Sequence, residues 1–196
     1  MSFINDKTKE INCKVVYYGP PQCGKSTTLK KIYEQVTTQK KGELISLNQE
    51  NDRTLYFDFV PLHLGKLNGY TIRLHLYTVP GEIGYQAARS LTSKGVDGAV
   101  FIADSSLEKT EANLESLRSL KEVLSQAGDD PEKIPFVFQY NKRDLPRAVP
   151  VAELSRLLNK QKAPEFETIA TQNKGVFEAL TSIGSQVLLD LKQEST

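Results

Sequence analysis

The fold of this chain is decided by one stretch, Gly19-Pro20-Pro21-Gln22-Cys23-Gly24-Lys25-Ser26, which has the pattern G-x-x-x-x-G-K-S. An apolar run (residues 13–18) precedes it, and apolar residues at helical spacing (residues 27–36) follow it. Strand, glycine-rich loop and helix are the context that a phosphate-binding P-loop requires, whereas the alternative is an ordinary glycine turn before a helix. In a P-loop the backbone N–H groups and the helix N-terminus donate to phosphate oxygens. We therefore predict a phosphate site in which Lys25 reaches the β- and γ-phosphates and Ser26 binds Mg²⁺.

The composition is that of an ordinary globular protein with one domain, which we place at residues 1–196. Of the 196 residues, 25% are charged and 39% are hydrophobic, enough to bury a full core. The formal net charge of +1 gives no electrostatic reason to expect nucleic acid as a partner. The two cysteines, Cys13 and Cys23, make no disulfide framework, so a reduced cytoplasmic setting is expected. Neither a transmembrane run, a signal-peptide core nor a lipidation motif is present in the sequence, and no direct membrane anchor is expected.

Two alternating segments flank a turn signal, Asn68-Gly69, which favours a type I′ hairpin. Residues 54–60 alternate between two sides, and residues 70–77 do the same. We predict two half-buried antiparallel strands at a sheet edge. The polar stretch before them, residues 37–53, is predicted to be a loop with at most one short strand. In the first segment Leu55, Phe57 and Phe59 share one side, and Tyr56 and Asp58 share the other.

The rest of the chain alternates strands and helices. Residues 98–103 and 135–140 are nearly continuous apolar runs, typical of strands that are covered on both faces. This pattern predicts the fold class α/β, a P-loop domain with a mostly parallel sheet, one antiparallel edge hairpin and helices on both faces. Asp104 is expected to cap the long helix. Helices are predicted at residues 106–126 (ended by Gly128), 151–158 and 176–191, and a last short strand at residues 167–170.

A second motif follows the strand at residues 135–140, at the edge of the sheet where ligands of such folds bind. It is Asn141-Lys142-Arg143-Asp144, an N-K-x-D sequence. The Asp144 carboxylate can accept from N1–H and the 2-amino group of guanine, whereas adenine would leave it unmatched at a cost of about 1–3 kcal/mol. Lys142 can lay its aliphatic stem along the base, and Asn141 can tie the neighbouring loops together. Alone, the motif could be a polar turn; behind a P-loop it indicates a guanine nucleotide and argues against a P-loop ATPase or kinase.

These loops together resemble the Ras-like small GTPases, and across nearly the whole chain the sequence resembles the bacterial MglA-type gliding-motility GTPases. The third loop of the resemblance is Ile169-Ala170-Thr171, where a small GTPase offers a backbone N–H to the guanine carbonyl; here Ala170 would supply it. The residues that carry the resemblance are Glu10-Ile11-Asn12-Cys13-Lys14, Tyr17-Tyr18-Gly19-Pro20, Asp52-Arg53-Thr54-Leu55, Phe57-Asp58-Phe59, His75-Leu76-Tyr77-Thr78-Val79-Pro80-Gly81, Gly95-Val96-Asp97-Gly98 and Asn141-Lys142-Arg143-Asp144-Leu145-Pro146.

The resemblance implies a GTP/GDP switch that sets cell polarity and motility. It implies effector proteins and a roadblock-type (MglB-like) activating protein, which would bind through the switch loops, and recruitment of a cytoplasmic protein to a cell pole through partners. The implied Mg²⁺ ligands are Ser26 and Thr54. The implied nucleotide-binding residues are Gly19, Pro20, Pro21, Gln22, Cys23, Gly24, Lys25, Ser26, Thr27, Thr54, Gly81, Asn141, Lys142, Asp144, Ala170 and Thr171.

The resemblance also assigns roles near the γ-phosphate. Arg53 would act as an arginine finger supplied by the chain itself, a device worth about 10³–10⁵ in rate elsewhere; the alternative is an exposed loop arginine. Thr54 would sense the γ-phosphate, and Gly81 would donate its N–H to it. Most small GTPases carry the aspartate of a D-x-x-G motif where this chain has Thr78, and the MglA-type family generally lacks that aspartate too. The resemblance therefore implies one negative charge fewer in the outer coordination shell of Mg²⁺.

Two positions depart from the family. Glu82 replaces the water-orienting glutamine, and Pro21 replaces a glycine of the P-loop. An ionised glutamate only accepts hydrogen bonds, and at about 5 Å and an effective dielectric near 20 its charge would repel the phosphate by roughly 3 kcal/mol. We therefore expect Arg53 and Glu82 to frame a catalytic site with slow or activator-dependent hydrolysis. Two alternatives stay open: a GTP-locked module that docks effectors with little turnover, and neutral changes at both positions.

Overall fold

The computed structural model describes residues 3–49, 53–80 and 94–194. Within these ranges the chain forms a single sheet flanked by helices. Short 3₁₀ turns lie at Thr38–Lys40, Leu107–Lys109 and Ala170–Gln172. The strands are β1 (Phe3–Asn5), β2 (Glu10–Tyr18), β3 (Ile45–Gln49), β4 (Arg53–Leu67), β5 (Tyr70–Thr78), β6 (Gly98–Asp104), β7 (Phe136–Asn141) and β8 (Glu165–Glu167), and the helices are α1 (Lys25–Gln35), α2 (Thr110–Ala127), α3 (Val151–Leu158) and α4 (Val176–Glu194).

The sheet has the order β3-β4-β5-β2-β6-β7-β8, and β1 pairs with the start of β2. From β5 to β8 all neighbours are parallel, whereas β4 runs antiparallel to both β3 and β5. This confirms the predicted α/β class with a mostly parallel sheet and an antiparallel edge. Because β2, β6 and β7 are parallel neighbours, the loops that follow them meet at one edge of the sheet.

Helices cover both faces of the central strands. One core layer joins α1 and α4 to the sheet, and the other joins α2 and α3 to it. Every residue of β6 and β7 is buried, as their apolar runs predict. Among the described residues, no helix is both long enough and apolar enough to cross a membrane.

The predicted hairpin forms, with a core face that the sequence did not indicate. Asn68 and Gly69 both have positive φ (49° and 85°), as a type I′ turn requires. On β4, however, the core face carries Asp58, Val60 and Leu62, each at most 3% exposed. The side that includes Phe59 therefore faces away from the core. The 3₁₀ turn at 38–40 and strand β3 occupy the stretch predicted to be mostly loop.

Three further predictions need correction. The long helix begins at Thr110 instead of residue 106, because Oδ1 of Asp104 accepts from N–H and Oγ of Ser106 and curls the chain into the 3₁₀ turn. Asp104 thus bonds to the residue that precedes this turn and does not cap α2, and Leu107 is 66% exposed. The last strand spans Glu165–Glu167 and stops short of residue 170, because Ile169 exchanges backbone hydrogen bonds with Lys174 and a 3₁₀ turn begins at Ala170. Gly128 ends the long helix as predicted, with φ 91°.

Candidate nucleotide site

The P-loop connects β2 to α1 and contains a tight turn over Pro20 to Cys23. The N–H of Cys23 donates to the Pro20 carbonyl (3.4 Å), and Gln22 has φ 62°. Proline at the second position and a positive φ at the third are the features of a type II turn. Pro21 therefore stands where proline is favoured, and the loop accommodates it without losing this backbone hydrogen bond.

Lys25 is held inside the P-loop. Its Nζ donates to the carbonyls of Gly19 and Pro20, both at 2.8 Å, and the residue is only 7% exposed. The Cys23 Sγ lies 3.8 Å from the same Nζ. Burial raises the pKa of the Cys23 thiol, although the Lys25 charge opposes this shift. The thiol stays neutral, and the loop concentrates positive charge at Lys25.

Asn141 joins three loops, as the sequence predicted. Its Nδ2 donates to the carbonyl of Cys23 in the P-loop (2.7 Å). Its Oδ1 accepts from Oγ1 of Thr168 (3.1 Å) and from the N–H of Ala170 (2.9 Å), both in the loop after β8. Gly24 allows this approach, because a Cβ at that position would lie 2.2 Å from Nδ2 of Asn141. The junction therefore depends on both an asparagine and a glycine.

The contact at Ala170 alters one expectation. The resemblance assigned the Ala170 N–H to the guanine carbonyl, but this N–H donates to Asn141 within the protein. A base carbonyl at this place would have to share the donor. The structure therefore gives Ala170 a role in joining the loops that its assignment as a base contact did not include.

The P-loop, the N-K-x-D motif and the loop after β8 enclose one cavity of about 200 Å³. Polar and backbone groups from all three loops line it, beside the aliphatic side chains of Leu145 and Ile169. The structure thus brings together residues that lie more than a hundred positions apart in the chain. Of the predicted binding residues, the cavity wall includes Gln22, Gly24, Thr27, Asn141, Lys142, Asp144, Ala170 and Thr171.

A buried acid, Asp58, lies beside Thr78. The Thr78 hydroxyl donates to Oδ2 of Asp58 (3.0 Å) and accepts from the Asp58 N–H (2.8 Å), and the two residues are 2% and 0% exposed. Our sequence reasoning did not assign Asp58 a role. The signal was available, because Asp58 shares its side of β4 with the apolar residues Val60 and Leu62. A carboxylate and a hydroxyl are the oxygen ligands that Mg²⁺ prefers, so these residues fit a magnesium site or its surroundings.

The predicted switch residues are only partly described. Arg53 and Thr54 are the first residues of β4, where they pair in register with Gln49 and Asn48 of β3. Their placement is described for the backbone alone. Gly81 and Glu82 lie outside the described residues, so their assigned roles stay predictions. Ser26 lies in the first turn of α1, directly after Lys25.

The chain matches known proteins along most of its length. Residues 14–189 match the Ras family. The mutual gliding-motility protein MglA of Myxococcus xanthus is 53% identical over 193 residues, which cover 98% of this chain and 99% of that protein. The Ras-related protein rab-11.1 of Caenorhabditis elegans is 27% identical over 176 residues, 89% of this chain and 76% of the relative.

A match to a larger protein has a different extent. Elongation factor 4 of Latilactobacillus sakei is 28% identical over 176 residues, which are 84% of this chain and 27% of that protein. The similarity is therefore confined to one part of the larger protein. The family match and the MglA match agree with the mostly parallel sheet and with the loops that meet at its edge. The chain therefore belongs to the Ras family of small GTPases and is of the MglA type.

Proposed function

We propose that this protein is a GTP/GDP switch that controls cell polarity and motility. The observation that carries the proposal is the cavity in which the P-loop, the N-K-x-D motif and the loop after β8 converge. The match to a protein named for gliding motility supports the cellular role. Effectors and a roadblock-type activating protein would read the nucleotide state through the switch loops, and such partners would bring the protein to a cell pole.

The base would lie in the cavity against Asp144 and Lys142. The Asp144 carboxylate would accept from N1–H and the 2-amino group, which selects guanine over adenine. Asn141 would hold the cavity together by its bonds to Cys23 and Ala170, without needing to contact the base itself. The phosphates would then lie over the P-loop and the N-terminus of α1, where the buried Lys25 supplies positive charge.

Magnesium would be held by Ser26 and Thr54 together with phosphate oxygens. When bound, it would neutralise charge on the β- and γ-phosphates. We propose that Asp58 restores the negative charge that the family position at Thr78 lacks. The contact between Thr78 and Asp58 supports this role, because it fixes a buried carboxylate beside the hydroxyl that replaces the aspartate.

Hydrolysis by this switch would be slow or would depend on an activator. Glu82 would repel the γ-phosphate by roughly 3 kcal/mol at about 5 Å, which corresponds to about a hundredfold in rate. Pro21 fits its turn, so it would affect the space above the loop more than the loop itself. Arg53 would still supply a positive charge in the transition state.

A single-turnover measurement of GTP hydrolysis tests this proposal. Glu82→Gln is expected to hydrolyse bound GTP about a hundred times faster than the wild type, because it removes the repulsion and restores a donor. Glu153→Gln is the matched control, since it makes the same change at an exposed glutamate on α3, outside the predicted switch loops. Equal rates for the wild type and Glu82→Gln would contradict the proposed cause of slow turnover.

The second candidate is a GTP-locked module that docks effectors without turnover, and Glu82 together with Pro21 favours it. The two candidates differ in their response to a partner. A roadblock-type protein would raise turnover by the switch and leave the locked module unchanged. Intact GTP recovered from the purified protein, and no hydrolysis with the partner present, would favour the locked module.

A further inference from the structure

Asp104 is a buried acid at the carboxyl end of β6. It contacts Lys142, whose side chain lines the cavity predicted to hold the base. Its Oδ2 accepts from Nζ of Lys142 at 2.6 Å. The Asp104 side chain is 1% exposed, whereas the Lys142 side chain is 35% exposed and lines the cavity. The two residues lie on neighbouring strand ends, because Asp104 pairs in register with Asn141 of β7.

The carboxylate of Asp104 is fixed from several directions. Oδ1 accepts from the N–H of Ser106 (3.0 Å) and from its Oγ (2.7 Å). The side chain of Asn113 on α2, fully buried, accepts from the Asp104 N–H (3.0 Å) and donates to its carbonyl (2.8 Å). Burial raises the pKa of Asp104, but hydrogen bonds from Lys142 and Ser106 outweigh it and bring the pKa below its ordinary value. The anchor is therefore an ionised group in a set position.

The contact with Asp104 orders the aliphatic part of the Lys142 side chain. Its backbone has φ 65°, the left-handed region that a non-glycine residue seldom adopts, so the side chain leaves the chain in an unusual direction. A free lysine side chain loses rotamer entropy when it is ordered. A contact between its ammonium and a fixed carboxylate orders the stem before any ligand arrives.

We propose that Asp104 is a positioning residue of the base site, which holds the Lys142 ammonium so that its aliphatic stem forms a preformed wall for the guanine ring. The inference rests on the proposed function, because it assumes that a guanine base occupies the cavity. Asp104 itself does not line the cavity. It acts on nucleotide affinity only through Lys142.

Coupling between the two residues tests this role, with the GDP dissociation constant as the readout. Asp104→Asn and Lys142→Met are each expected to weaken GDP binding about tenfold, since either change releases the stem. The double variant is expected to be weakened about tenfold as well, not about a hundredfold, because both changes remove the same contact. Asp97→Asn is the control: it makes the same change at a carboxylate that accepts from the Lys14 N–H at the opposite end of the central strands, and it is expected to change affinity by less than about twofold.

Three results would overturn the inference. Wild-type affinity in Asp104→Asn would mean that the anchor is unnecessary, and about a hundredfold loss in the double variant would mean that the two residues act independently. If Asp104→Asn does not fold, wild-type affinity in Lys142→Met would have the same meaning, because that variant keeps the length of the stem and lacks only the anchored charge. Failure of the wild type to bind GDP is a separate result, which would overturn the proposed function and this inference together.

Discussion

The two halves of the sheet hold their buried polar groups in different ways. At the ends of β6 and β7, which are mostly apolar and buried along their whole length, Asn141 and Asp104 each bond to several partners. On the hairpin half, β4 and β5 alternate, so the choice of face decides what enters the core. Asp58 lies on the core face, and Phe59 lies on the other face, stacked with His75. Hydrogen bonds between loops therefore hold the buried polar groups at the ends of β6 and β7, where the base is expected to bind. On the hairpin half, the alternation of side chains along each strand decides which polar group is buried.

The largest expected effect concerns the loop junction at Asn141. Asn141→Ala removes hydrogen bonds to Cys23, Thr168 and Ala170, and we expect GDP affinity to fall by about a hundredfold or more. Asn159 provides the control, because it is also buried and bonds to Ala163 and Glu165 through three hydrogen bonds.

Nucleotide displacement and urea unfolding of both variants separate binding from stability. Asn159→Ala and Asn141→Ala are each expected to lower the free energy of unfolding by about 2–4 kcal/mol. Asn159→Ala is expected to leave GDP affinity nearly unchanged. A similar loss of affinity in both variants would show that the base cavity depends on general stability and not on the junction.

A smaller effect is expected on the hairpin half. Asp58→Asn keeps the shape of the side chain that contacts Thr78 but removes its charge. We expect GDP to dissociate about ten times faster when Mg²⁺ is present, and at the wild-type rate when Mg²⁺ is chelated.

Stopped-flow release of a fluorescent GDP analogue measures both rates. Asp97→Asn is the matched control, because Asp97 accepts from the Lys14 N–H (2.8 Å) at the opposite end of the central strands. A faster release that does not depend on Mg²⁺ would show that Asp58 supports the strand and not the metal.

The smallest effect concerns the pH dependence of stability. Burial, helped by the charges of Arg73 and His63, lowers the pKa of His75 from 6.5. The unfolded state then binds more protons as the pH falls below that value, so the contribution of His75 to stability is present above it and is lost below it. The free energy of unfolding should therefore fall between about pH 7 and pH 5.

His75→Gln keeps a side chain that can bond to Oδ1 of Asn12, the partner of Nε2 of His75 at 2.8 Å. Urea unfolding across the same pH range is expected to give a shallower fall for this variant. An identical pH dependence in the wild type and the variant would remove His75 from the explanation.

The loops around the base cavity could be predicted from the sequence because each motif specifies its residues and the strand that it follows. The N-K-x-D motif follows a buried strand, and parallel strands bring their carboxyl ends together, so the junction at Asn141 followed from the pattern. The anchor at Asp104 was assigned to a helix cap instead. The register of β6 and β7 contained the missing information, because it sets Asp104 beside Asn141.

The hairpin half was harder to predict because short alternating segments leave the face undecided. The apolar residues of positions 54–60 favoured the side of Phe59, whereas β4 extends to Leu67 and its later residues Val60 and Leu62 enter the core. Asp58 is buried because it lies two residues before Val60 and four before Leu62, on the same face of β4. The end of β8 has a different cause, since backbone hydrogen bonds between Ile169 and Lys174 close a local turn that the alternation of the sequence does not reveal.

The central claim is that the cavity at the ends of β2, β7 and β8 selects a guanine nucleotide, and calorimetric titration of the nucleotide-free protein tests it most directly. With Mg²⁺ present, GDP is expected to bind about ten to a hundred times more tightly than ADP, because adenine leaves the Asp144 carboxylate unmatched. Equal affinities for GDP and ADP, or no binding of GDP, would contradict the account.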